Sequence, residues 1–249
     1  MKSPRRFDLT HPALQKDALN NETKPPEDSI SWRLWLAGQA IAQDALNTDY
    51  VQGIRQGNLD PNDYGQYTIQ DCTYCAHAQD DYLTIEQRAR NDSALDLASF
   101  AKARYDSYVK YTNEQLTAWH IKSPSALAPS PAAQTYIDFE HQIATTYPPI
   151  YGVLAMIPCD QLWPWLAEQL NDQIKSSGIY SFWIKENIGF TGAYRLDNFI
   201  DAWFAQYPEI YNWERALYVY QSCLTCELNF FKSACGQALS PMPTAPKQL

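Results

Sequence analysis

Apolar residues recur at spacings of three and four along most of the chain, the period of an α-helix with one face turned inward. The first such segment starts at Ser29 or Ser31, either suited to cap a helix, and runs to Asn47. The next opens at Asp60-Pro61-Asn62-Asp63 and extends to Arg88. There Asp60 caps, Pro61 takes the first helical position, and Asp63 favours the positive end of the helix dipole. Further helices are predicted over 92–119, 132–146, 149–171, 178–188, 195–206 and 210–236. The Pro- and Ser-rich stretch 123–131 reads as a loop. Pro158 falls inside the 149–171 segment, where it predicts a kink. Short breaks between helices predict an all-α, antiparallel multi-helix bundle. Residues 29–238 form one helical domain in this reading, flanked by a polar, loosely attached or disordered arm at 1–28 and a polar tail at 239–249.

Some positions on the apolar stripes are polar. One face of the helix after Asp60 reads Tyr64, Tyr67, Asp71, Tyr74, Ala78, which sets a carboxylate among phenols on a face that should point inward. The last helix reads Trp213, Leu217, Tyr220, Leu224, Glu227, Phe230, Phe231, again with an acid among apolar neighbours. Burying a carboxylate is costly without hydrogen bonds or a paired charge. Each acid alone has an alternative place at a stripe edge or beside an Arg. Two of them on separate core-facing stripes point to a polar pocket inside the bundle. Cys159 follows Pro158, whose kink opens space beside the thiol. The alternative for Cys159 is the ordinary fate of a free Cys, a small buried hydrophobe.

Composition narrows the classes. A length of 249 residues suits one large domain, and nine Gly are too few for the turns of a β-sandwich of that size. The formal net charge is −9, and the first 28 residues are balanced, so the excess acid lies on the body. That argues against nucleic-acid and anionic-membrane partners. No apolar run is long enough to span a bilayer, and the basic N-terminal residues lead into a polar stretch rather than an apolar one, so a cytoplasmic protein with reduced thiols is expected. Cys72-x-x-Cys75 and Cys223-x-x-Cys226 have a spacing that metals accept, but both pairs fall within helices without a Gly knuckle. They are read as half-buried helical thiols, and no metal is predicted. The four His (His11, His77, His120, His141) form no paired ligand set for heme or di-iron, there is no Gly-rich phosphate loop, and no cofactor is expected.

Several motifs occur in order. Residues 49–61 carry an aromatic, room for a short helix, and a Gly-x-Leu turn leading into a new helix. Tyr64-x-x-Tyr67-x-x-Gln70-Asp71-x-x-Tyr74 follows, then Ile157-Pro158-Cys159, then Glu227-x-x-Phe230-Phe231. Together these resemble the TenA (thiaminase II, aminopyrimidine hydrolase) family over residues 30–236. The resemblance implies the heme-oxygenase-like helical architecture and release of amine from an aminopyrimidine or thiamine-related compound in thiamine salvage. It implies that Cys159 is the nucleophile, that Glu227 is the acid/base partner, and that Tyr74 is hydrogen-bonded nearby to position the Cys. Asp71 would hold the exocyclic amine of the substrate, with Tyr136, Phe230 and Tyr67 around the pyrimidine. Asn187, counted from Trp183, stands where the family has a pocket tyrosine, and Thr48-Asp49-Tyr50 stands where it has His-Pro-Phe. A small pyrimidine-like partner and a homo-oligomer, dimer or tetramer, are also implied. The second reading of the same residues is a non-catalytic small-molecule binding or regulatory protein that kept the pocket.

Overall fold

The structure, a computed structural model, describes Leu14, residues 20–123 and residues 126–246. Those residues form helices and turns and no strand. In chain order the α-helices are α1 (Ile30–Leu46), α2 (Asp49–Gln56), α3 (Pro61–Asn91), α4 (Leu95–Ala118), α5 (Pro131–Thr146), α6 (Pro149–Ala155), α7 (Ile157–Leu170), α8 (Ser181–Asn187), α9 (Thr191–Gln206) and α10 (Trp213–Ala234).

The helices start where local chemistry tells them to. The Ser29 hydroxyl accepts from the amide of Trp32, the Asp60 carboxylate from that of Asn62, and the Ser130 hydroxyl from that of Ala133. Pro61 and Pro131 each follow their cap, at a position that needs no amide donor. Thr48 caps the short α2, which ends at Gly57 in the left-handed region (φ 70°). The predicted 149–171 helix is interrupted at Met156, so that α6 ends at Ala155 and α7 carries Pro158 in its first turn. The predicted 178–188 segment is a 3₁₀ turn at Gly178–Tyr180 running into α8. The predicted 195–206 helix starts four residues earlier, at Thr191.

α3 and α4 form a long hairpin, α5 lies along the other side of α3, and α10 packs against α1, α5 and α7. The middle of α10 is enclosed all round: every residue from Ser222 to Phe231 is buried. α1 comes close to it at Gly38, where an added Cβ would stand 2.6 Å from Leu224 Cδ2 and 3.0 Å from Tyr220 Cε1. The aromatic core is continuous, with Tyr67 stacked on Phe231 at 5.2 Å and Tyr74 on Tyr136 at 4.4 Å between ring centroids.

Where they are described, the predicted arm and tail are tied to the body. Leu14 is buried and donates its amide to Asp96, and the Asn198 amide reaches the carbonyls of Asn21 and Thr23. At the other end Ser240 and Asn229 exchange two hydrogen bonds. Residues 1–13 and 15–19 of the predicted arm, and 247–249 of the tail, lie outside the described residues. Among the described residues no helix is long and apolar enough to cross a membrane.

Gly57 is the most demanding backbone position. Its φ is positive, and a Cβ there would meet the Ser176 carbonyl oxygen at 2.6 Å and the Ser177 carbonyl carbon at 2.9 Å, backbone atoms that cannot swing aside. Gly57→Ala is expected to destabilise the fold by about 2–3 kcal/mol, from the left-handed strain plus the clash. Urea unfolding of the two proteins measures it, and an unchanged midpoint would show that the turn relaxes freely.

Candidate functional site

The break between α6 and α7 delivers Cys159 to the wall of a cavity of about 340 Å³. Asp71 and Cys75 of α3 line the same cavity, with Tyr108 and Tyr111 of α4. Trp163 of α7 and Asn187 at the end of α8 close other sides. Arg104 of α4 pairs with Asp160, the residue after Cys159, at 2.6 Å across the wall.

Glu227 stands behind this wall. It is 3% exposed and belongs to the enclosed stretch of α10. Its Oε1 accepts the Tyr136 hydroxyl at 2.9 Å, and its Oε2 accepts the indole N–H of Trp163 at 3.3 Å. The Cys159 thiol also hydrogen-bonds the carboxylate. All three are neutral donors, so burial outweighs them and raises the Glu227 pKa to about 7. Asp71 is likewise pushed up to about 7, by burial and then by the charge of Glu227. The Tyr111 hydroxyl at 3.5 Å and the Cys75 thiol at 3.9 Å offset this only in part. Burial, then Glu227, Asp160, Asp71 and Cys75, raise the Cys159 thiol well above its usual value. At rest the sulfur is therefore a neutral thiol beside a carboxyl that titrates near neutrality. That pair can exchange a proton as the sulfur attacks an electrophile.

The expected site residues thus divide by position. Asp71, Cys159 and Asn187 face the cavity. Asn187 turns its amide N–H₂ back onto the Trp183 carbonyl at 2.8 Å. Tyr136 and Tyr74 stack behind the wall. The Tyr74 hydroxyl, expected at the Cys, donates instead to Glu140 Oε1 at 3.1 Å, a buried carboxyl that needs hydrogen-bond donors more than a thiol does. Tyr67 and Phe230 meet edge to face and border a second, smaller hollow of about 170 Å³ with Gln66, Gln70 and Ser130. The sequence reading passed over Glu140, Trp163, Tyr111 and the Arg104–Asp160 pair. Glu140 was detectable by the rule that found Asp71 and Glu227, since it continues the α5 stripe Ala133, Tyr136, Ile137, Ile143. The two Cys-x-x-Cys pairs lie on α3 and α10 as free, buried thiols. Among the described residues no three His, Cys, Asp or Glu side chains gather as a metal site.

Raised carboxyl pKa values fix the sign of the pH dependence. Between about pH 4 and 7 the folded chain holds protons on Asp71 and Glu227 that the unfolded chain has lost, so stability falls as pH rises through that window. The penalty vanishes only well below pH 4 and is complete only well above pH 7. Asp71→Asn is expected to raise the thermal midpoint at pH 8 by severalfold more than at pH 4.5. Melting curves at the two pH values check this, and an Asn variant less stable at pH 8 would contradict it.

The TENA/THI-4/PQQC family matches residues 37–240 of the chain. No curated protein matches it. Among solved structures, the TenA homologue protein from P. horikoshii OT3 superposes with a TM-score of 0.68 at 19% identity, over 83% of this chain and 98% of its own. A TenA family transcription regulator from Silicibacter sp. TM1040 gives 0.71 at 15% identity, over 87% and 99%. A TenA homologue from Pyrococcus furiosus gives 0.61 at 12%, over 82% and 99%. At these identities the superpositions speak for the fold.

Proposed function

The chain belongs to the TENA/THI-4/PQQC family, and from that premise we propose that it is a hydrolase releasing amine from an aminopyrimidine or a thiamine-related compound through nucleophilic attack by Cys159. The observation that carries this reading is the Cys159–Glu227 pair: a thiol at the wall of a cavity, hydrogen-bonded to a buried carboxyl whose pKa burial pushes up to about 7. Glu227 takes the thiol proton as the sulfur adds to a carbon of the pyrimidine, and passes it on toward the ring nitrogen and the leaving amine. Water then adds where the amine left, and the sulfur departs. The net change replaces an amino group by a hydroxyl. Asp71, lining the same cavity, would accept hydrogen bonds from an exocyclic amine, and Trp163 and Tyr108 bring aromatic side chains to the lining beside a flat heterocycle. Tyr136 acts on the reaction through Glu227, which it holds in place.

The second reading, a binding or regulatory protein that kept the pocket, draws on the burial, and after it the neighbouring acids, that hold Cys159 protonated at rest.

Amine release from thiamine and from an aminomethyl-pyrimidine distinguishes the two. In the first reading the wild type turns over one of them, and Cys159→Ser lowers kcat by about a thousandfold or more. Asp71→Asn weakens binding about tenfold to a hundredfold, the cost of one hydrogen bond to a charged group. No turnover, with tight pyrimidine binding by calorimetry, establishes the second reading instead.

A further inference from the structure

Glu140 belongs neither to the cavity wall nor to the chemistry above, yet it is 1% exposed in the centre of the bundle. Its Oε1 accepts the hydroxyl of Tyr74 at 3.1 Å. Tyr74 stacks on Tyr136 with the rings 4.4 Å apart and 24° from parallel. The Tyr136 hydroxyl donates to Glu227 at 2.9 Å and also lies within hydrogen-bonding reach of the Glu140 carboxyl. A phenol has one proton to give. If Glu227 receives it, the contact between Tyr136 and Glu140 is satisfied only when Glu140 donates to the phenol oxygen. We propose that Glu140 is a positioning residue for Glu227: as a neutral acid it accepts from Tyr74 and donates to Tyr136, which leaves the Tyr136 proton directed at Glu227.

The surroundings support the neutral form. From α3, Glu140 is faced by Asp81, Tyr74, Tyr82 and Cys75. From α10 it is faced by Glu227, Cys223 and Cys226, and on its own helix by Tyr136. α6, packed on the same helix, has Tyr151 as its one titratable side chain, and that hydroxyl is turned to the Ile210 carbonyl. None of these groups is a cation; Asp81 in turn pairs with the imidazole of His141, which follows Glu140 on α5, at 2.7 Å. Burial and two neighbouring acids, Asp81 and Glu227, hold the Glu140 carboxyl well above the usual carboxylate range. An ionised Glu140 would compete with Glu227 for the same phenol proton. Removing the Tyr136 hydrogen bond from Glu227 would raise the Glu227 pKa further, since that bond lowers it.

This inference rests on the Cys159–Glu227 reading, so its test uses a readout that needs no turnover. The rate of Cys159 alkylation by iodoacetamide, followed on the Cys159 peptide by mass spectrometry, is measured against pH in the full-length chain. Glu227→Gln identifies the inflection that Glu227 imposes on that profile. Gln at position 140 can still accept from Tyr74 and donate to Tyr136, whereas Leu can do neither. The expected result is that Glu140→Leu moves the inflection to higher pH by about half a unit or more, and that Glu140→Gln restores the wild-type position. Tyr74→Phe, which removes the hydroxyl Glu140 holds, is expected to move it in the same direction and supplies the test if the Leu variant does not fold. Where amine release is observed, kcat for Glu140→Leu falls about tenfold to a hundredfold, the range for a misplaced catalytic group, while KM stays within about threefold. An unmoved inflection in the Leu and Phe variants overturns the proposal, and so does a Gln variant displaced as far as the Leu variant. Absence of turnover in the wild type counts against the hydrolase alone, and the alkylation profiles still decide the role of Glu140.

Discussion

A carboxyl group without a cation, buried where α5, α7 and α10 meet, is the constraint around which the rest of the site is arranged. Glu227 has its hydrogen bonds from a phenol, an indole and a thiol, each neutral and each from a different residue of the packed core. Neutral donors make burial tolerable without making ionisation easy. The result is a group that changes its proton near neutrality, next to a sulfur that cannot ionise by itself.

The fold supplies the convergence. Tyr136 comes from α5, which starts at the Ser130 cap, and Trp163 and Cys159 come from α7. α7 owes its direction to the interruption at Met156 and the proline that follows. A straight helix through 149–171 would have no break at this point, and the thiol's place on the cavity wall depends on where α7 begins. The close approach of α1 to α10 at Gly38 covers α10 at Tyr220 and Leu224, in the two turns before Glu227. Among the described residues the cavity lining carries Asp71, Asp160 and Glu186 against Arg104, whose charge Asp160 pairs, a balance that disfavours an anion there.

Much of this was legible in the chain. Asp60-Pro61 and the Ser caps marked helix starts to within a residue or two, since capping is a local hydrogen bond that the sequence spells out. The polar interruptions at Asp71 and Glu227 announced buried acids, and Pro158 announced the break. What stayed hidden was partnership. Stripe position says that Tyr74 points inward, but not that its hydroxyl meets Glu140 rather than Cys159. Glu140 obeyed the stripe rule, and its role depended on stacking between α3 and α5 that no spacing encodes. Trp163 looked like ordinary core, because an indole N–H finds its acceptor only after the helices are packed. Tyr67 and Phe230 share stripes with the pocket residues, yet they border a different hollow. A stripe wide enough to bury a helix inside a bundle faces more than one neighbour.

The proton affinity of Glu227 is the quantity on which all this turns. Side-chain carboxyl NMR of the ¹³C-labelled chain, with the Glu227 resonance assigned by its loss in Glu227→Gln, measures it directly in the absence of any substrate. A titration midpoint near 7 is the expected result. A midpoint in the ordinary range near 4.3 would mean that the carboxyl is hydrated or paired with a cation, and that the thiol beside it has no base to work with.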